Sequence, residues 1–83
     1  MNVPITLSEL GAEGEPVRVS VWLVDVGDAL SEGDRVVEVL LRGITFDVSA
    51  PVGGVLRRID KNADSVVAAG DVLGWIDPDG PIA

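Results

Sequence analysis

The chain has 83 residues, enough for one domain and one core, and 47% of them are hydrophobic. Fourteen acidic residues against six basic ones leave a formal net charge of −8, which speaks against nucleic acid and anionic membrane surfaces, since both are bound by clustered Lys and Arg. With no Cys, His or Tyr, the chain lacks disulfides, the strongest nucleophile and the commonest general base, so catalysis is not expected.

In chain order, alternation of apolar and polar residues dominates, and no helical period stands out. Residues 5–10 read as a first strand, and residues 11–16 as a polar, Gly-containing loop. Residues 17–24 form a long strand, alternating at first and then apolar on both faces. The chain turns at residues 26–28 and again at 32–34. Residues 36–41 and 44–49 are the arms of a hairpin. Residues 50–54 make a corner, 55–59 another strand, 61–70 a second double turn, and 72–76 a last strand before the turn at 78–81. Valine favours the strands, and ten Gly with five Pro supply the turns.

The chain repeats itself. Gly27 falls on Asp64 and Gly33 on Gly70, a constant offset of 37 positions. Trp22 falls on Ile59, Val36 on Leu73 and Val39 on Ile76 at the same offset. Such self-similarity predicts two interlocked copies of one β unit, spanning approximately residues 17–39 and 54–76 within a single domain, 1–83. The hairpin between the copies, with its tip at residues 41–44, is the place to look for function.

The hairpin also predicts its own register. A two-residue turn at Arg42-Gly43 sets Leu41 opposite Ile44, Val39 opposite Phe46 and Val37 opposite Val48, placing six apolar residues on one face. Leu40 then faces Thr45, and Glu38 faces Asp47, on the other. Agreement between turn length and alternation specifies the pairing, because a slip of one residue would turn the core set outward. Gly43 suits a turn position with positive φ. Glu38 against Asp47 is mildly unfavourable, and Arg57 or Arg58 is a candidate to offset it.

In order and spacing, these segments resemble a lipoyl domain of the biotinyl/lipoyl carrier family over nearly the whole chain. The segments are 5–11 (ITLSELG), 22–28 (WLVDVGD), 37–39 (VEV) and 48–55 (VSAPVGGV). The resemblance implies an all-β fold, a flattened barrel or sandwich of two four-stranded antiparallel sheets related by a pseudo-twofold axis. It also implies that the hairpin tip would carry Asp-Lys, with lipoate in amide linkage on the lysine, in the manner of the acyltransferases of 2-oxo acid dehydrogenases. Here those two positions are Arg42 and Gly43. Gly43 has no side chain, and the Arg42 guanidinium stays protonated and is no nucleophile. No bound cofactor is therefore expected.

Lys61 is the sole lysine and lies in the second double turn, not at the tip. Asp25, Asp28, Glu32 and Asp34 cluster in sequence, but Gly-Asp pairs are explained as turn formers, so no metal site is expected. Trp22 and Trp75 read as packing residues. A sandwich this small is expected to leave little room for a pocket of several hundred cubic ångströms. Leu40 points away from the core, and with Leu41, Arg42 and Ile44 it makes a candidate protein-contact patch at the tip. The reading that follows is a non-catalytic binding or structural module of lipoyl type. Its partner would be a protein such as a 2-oxo acid dehydrogenase component, and neither nucleic acid nor membrane. The alternative is an N-terminal carrier segment of such an acyltransferase, its acceptor lost or replaced. The absence of Cys and of a basic, then apolar, leader after Met1 fits the cytoplasm.

Overall fold

Valine-rich alternation builds eight strands in the computed structural model, which describes residues 1–10 and 15–80. They are β1 (Val3–Thr6), β2 (Val17–Trp22), β3 (Ala29–Leu30), β4 (Arg35–Leu41), β5 (Ile44–Ser49), β6 (Gly54–Ile59), β7 (Val66–Val67) and β8 (Val72–Asp77). One antiparallel sheet has the order β1-β8-β6-β3 and the other β5-β4-β2-β7. Exchanging β1 with β5, β2 with β6, β3 with β7 and β4 with β8 turns one sheet order into the other. The two copies thus interlock, each contributing strands to both sheets.

The repeat extends to individual hydrogen bonds. Gly27 N–H donates to the Leu56 carbonyl, and its twin Asp64 N–H donates to the Val19 carbonyl, both at 2.8 Å. Leu56 N–H returns to the Asp28 carbonyl as Val19 N–H returns to that of Ser65. Each double turn closes alike, with the Asp34 and Asp71 carboxylates accepting from the Ser31 and Ala68 N–H groups at 2.8 and 2.9 Å. Gly33 and Gly70 both sit at φ 89°, and Gly27 at 99° is matched by Asp64 at 72°, since Asp tolerates the left-handed region better than most residues do. These bonds create the two-residue strands β3 and β7 inside segments that read as turns. Two residues are too few to leave a periodic signature in the sequence.

The core follows the same twofold. The twin pairs Val19 and Leu56, Val36 and Leu73, and Val39 and Ile76 are all fully buried, and burying each such side chain contributes about 1.5–3 kcal/mol before entropy. The copies differ where Trp22, on β2, lies across the β8 backbone at Gly74. A Cβ on Gly74 would come within 2.9 Å of the indole ring. The twins of these residues are Ile59 and Val37, so the first copy's Trp22 meets no side chain at the second copy's Gly74, where the equivalent positions across the twofold hold two residues of medium size, Ile59 of the second copy and Val37 of the first. The indole Nε1–H donates to the Lys61 carbonyl at 2.7 Å, which satisfies the polar edge of a part-buried ring.

Several boundaries shift from the sequence reading. The first strand is Val3–Thr6 rather than 5–10, and β2 ends at Trp22 rather than 24. Of the loop over 11–16, residues 11–14 lie outside the described residues, as does Pro81 of the last turn. The hairpin register is as the turn length required, with Leu41 opposite Ile44, Leu40 opposite Thr45, Val39 opposite Phe46, Glu38 opposite Asp47 and Val37 opposite Val48. Its burial is uneven. Val37, Val39 and Leu41 are buried, Phe46 and Val48 are half-buried at the sheet edge, and Ile44 is 59% exposed. Asp47 is paired with Arg35 at 3.3 Å, not with Arg57 or Arg58, which sit on the other sheet and engage Asp77 and Asp60 at 2.6 Å.

Candidate functional site

The hairpin tip is built from a two-residue turn with both central residues left-handed, Arg42 at φ 53° and Gly43 at φ 76°. This is the type I′ pattern, whose twist matches that of the flanking strands. An arginine is uncommon in this region, and here it is held from outside. Its Nε and Nη2 donate to the Oε2 and Oε1 of Glu15, both at 2.5 Å, a two-pronged grip that ties the start of β2 to the tip. The hydrogen bond from Arg42 holds the Glu15 carboxyl below its ordinary value, and Glu15 raises the guanidinium in turn. Sequence reading missed Glu15. Twenty-seven positions separate it from Arg42, and no local pattern links them.

Of the residues expected to make a contact patch, the structure brings three to the surface unequally. Arg42 and Ile44 are exposed and Leu40 is half-buried, whereas Leu41 is buried and belongs to the core. Leu41 points inward because it shares the face of Val39 and Val37. Nothing in the structure comes within 4 Å of a Cβ built on Gly43, so residue 43 projects into open space.

Lys61 sits elsewhere. Its N–H donates to the Leu73 carbonyl and its carbonyl accepts from Trp22. β2 pairs Arg18 with Leu40 beside the tip and Trp22 with Val37 farther along. From Val37 to Arg42 is about 16 Å at ~3.3 Å per residue. The lysine is therefore anchored to the end of β2 away from the tip.

Among the acidic residues of the first double turn, Asp28 and Asp34 spend their carboxylates on the Asp25 and Ser31 N–H groups. No group of three or more His, Cys, Asp or Glu among the described residues is arranged to hold a metal. No helix among them is long and apolar enough to cross a membrane. Trp22 packs against the core, but Trp75 does not follow it. Half-buried on the outer face of its sheet, Trp75 lies under the Arg58 guanidinium at 5.8 Å and donates to Asp60 at 2.8 Å. Asp60 is held below the ordinary aspartate value first by its bond from Arg58 and then by that from Trp75.

The expectation of little room for a pocket of several hundred cubic ångströms is corrected at the surface. A groove of about 400 Å³ runs between β1 and β5, lined by Leu7, Leu10, Phe46, Val48 and Pro51 among others. It lies between the two sheet edges, where neither sheet has a further strand among the described residues.

Comparisons with known proteins agree with this geometry. The chain is 35% identical over 72 residues to the dihydrolipoyllysine-residue acetyltransferase component of the acetoin cleaving system of Pseudomonas putida, covering 87% of this chain and 20% of that protein. It is 28% identical over 76 residues to the dihydrolipoyllysine-residue succinyltransferase component of the 2-oxoglutarate dehydrogenase complex of Rickettsia conorii, covering 92% of this chain and 19% of that protein. The chain thus spans about a fifth of the length of these curated relatives. The solution structure of the lipoyl domain of the 2-oxoglutarate dehydrogenase complex from Azotobacter vinelandii superposes with a TM-score of 0.70 at 23% identity, covering 93% of this chain and 99% of that one. That likeness establishes the fold, and residues 3–76 match the family model described as biotin-requiring enzyme. With two interlocked four-stranded sheets and a projecting hairpin between its copies, the chain belongs to the biotinyl/lipoyl family.

Proposed function

We propose that this chain is a lipoyl-type module that carries no lipoyl group on its hairpin and works as a non-catalytic binding or structural domain. The observation that supports this reading is the tip itself. The family's acceptor position falls on Gly43, a residue with no amine. Its neighbour Arg42 is engaged by Glu15 and remains a cation at any working pH. Lys61, the remaining source of an amine among the side chains, is anchored away from the tip through its backbone. The residues present do not fit an amide-linked lipoyl arm at the turn. The partner on this reading is a protein of a 2-oxo acid dehydrogenase assembly in the cytoplasm, met by Leu40, Arg42 and Ile44.

Intact mass after co-expression with a lipoate ligase tests the proposal. The expected spectrum is that of the unmodified chain. A gain of one lipoyl group, mapped by peptide digestion to this chain, overturns it.

A second reading is favoured by the names and lengths of the relatives. The chain matches about a fifth of acyltransferase components, which suits a carrier segment of a larger enzyme whose acceptor has been lost. Gly43→Lys distinguishes the two. A lysine at φ 76° bears strain of about 1 kcal/mol, small enough to leave the domain folded. Modification of that variant supports a carrier scaffold missing only its amine, whereas a folded and unmodified variant means that the turn geometry has diverged as well.

A further inference from the structure

The two edges flanking the groove are twins in the repeat but differ in how they are protected. β1 has four residues, carries Pro4 and shifts register between Ile5 and Thr6. A proline and an irregularity are both devices that stop an edge from pairing further. β5 has six residues, Ile44 to Ser49, and no proline. The irregularity in its pairing falls between Arg35 and Val37 on β4, so β5 itself runs unbroken.

Backbone alternation tells which groups the edge offers. Ile44, Phe46 and Val48 lie opposite Leu41, Val39 and Val37. Ala50 donates to the Asp34 carbonyl and accepts from Gly33. In an antiparallel ladder every second residue faces its partner, so residues 44, 46, 48 and 50 turn their N–H and C=O groups toward β4. Thr45, Asp47 and Ser49 turn theirs outward. β5 ends its sheet, and no strand among the described residues pairs with it there. On the inner side of this edge, Phe46 and Val48 line the groove with Leu7 and Leu10. On the outer side Asp47 lies opposite Glu38. Arg35 reaches Asp47 alone, leaving Glu38 without an ion pair among the described residues.

The geometry points to the free edge of β5 as a docking site for an extended basic peptide of a partner protein. The peptide adds as a fifth strand, with alternate apolar side chains in the groove beside Phe46 and Val48 and basic ones over Asp47 and Glu38. Main-chain bonds to Thr45, Asp47 and Ser49 supply the general attraction, and the groove selects the side chains. Charge selects the class of occupant. A second copy brings a net charge of −8 against −8, which opposes self-pairing, whereas a cationic strand is drawn in by the same field. This surface is independent of what residue 43 carries.

The test uses the whole chain, labelled for NMR, with an acetylated and amidated six-residue probe alternating Lys or Arg with Val. A second probe is N-methylated on alternate residues, so that its bonding edge is blocked. The expected result is saturable binding by the first probe, with amide shifts and slowed hydrogen exchange centred on Thr45, Asp47 and Ser49. The N-methylated probe is expected not to bind. Asp47→Asn is isosteric, and its fold is checked by tryptophan fluorescence. It is expected to weaken binding about threefold to fivefold, the effect of one solvent-screened contact of about 1 kcal/mol. Equal binding of both probes, shifts centred on Trp75, or no saturation up to about 1 mM overturns the inference. So does slow exchange at residues 45, 47 and 49 in the free chain, because the edge is then already covered by the chain itself. A doubling of mass with concentration, protecting the same three amides, identifies a second copy as the occupant and overturns the assignment to a basic peptide.

Discussion

The two copies of the repeat share a backbone but not a set of side chains, and their difference separates what the fold requires from what each half has improvised. Gly27 and Asp64 make the same hydrogen bond through different residues, so the turn demands a left-handed backbone and not a particular side chain. Trp22 of the first copy over Gly74 of the second stands where, across the twofold, Ile59 of the second copy and Val37 of the first stand. The core there demands a joint volume rather than a residue. The copies diverge most in the loops outside the repeat. From Leu7 to Val19 the chain takes six more residues than from Ala50 to Leu56, although Leu7 and Ala50 make the same pair of bonds to Asp71 and Gly70 as to Asp34 and Gly33. The longer loop ends at Glu15, which grips the tip.

Exchanging residues between the copies is the most severe test of this comparison. Gly74→Val places the twin residue at a site where a Cβ would lie 2.7 Å from the Arg58 carbonyl and 2.9 Å from Trp22. Urea unfolding should show a loss of about 3 kcal/mol from this overpacking. Adding Trp22→Ile makes both halves alike at these positions. It should return about 1 kcal/mol relative to the sum of the single changes, because one of the two contacts is relieved. Strict additivity would break the joint-volume reading.

A smaller effect sharpens the account of the turns. Gly27→Asp copies the twin position and should cost about 1 kcal/mol or less, while Gly27→Val, β-branched at φ 99°, should cost about 2 kcal/mol. Equal losses in thermal melts would mean that the side chain, and not the backbone region, decides.

The smallest effect concerns the surface pairs. The carboxyls of Glu15, Asp60 and Asp77 are all held below their ordinary values, each first by its arginine. Their contribution is therefore complete above the ordinary values of 4.5 and 3.8. It is lost as pH falls through the lowered ones. Melting temperature should hold through neutral pH and decline below about pH 4.5, and Glu15→Gln should flatten part of that decline. Exposed pairs are screened, so the change should shrink further in high salt.

Much of this architecture was legible from local pattern. Alternation located β2, β4, β5, β6 and β8 to within a residue or two. The turn at Arg42-Gly43 set the hairpin pairing, because a two-residue connection permits a single register that keeps Val37, Val39 and Leu41 inside. β3 and β7 were hidden, being defined by bonds to β6 and β2 rather than by their own two residues. At the tip, the glycine at 43 was plain in the chain, but the burial of Leu41 beside an exposed Ile44 depended on which strand lay at the edge.

The sequence alone determined the strands, the turns and the offset that doubles them, since each follows from spacings of a few residues and from the backbone freedom of Gly and Asp. Only the tertiary structure decided what the two copies do to each other. The interlocking of the sheets brings Glu15 to Arg42, lays Trp22 across Gly74, and leaves β5 beside an apolar groove as the last strand of its sheet among the described residues, while the β1 edge carries Pro4. The physical reason is distance along the chain. Contacts between residues far apart exist only once the sheets close, and no periodicity in the sequence records them.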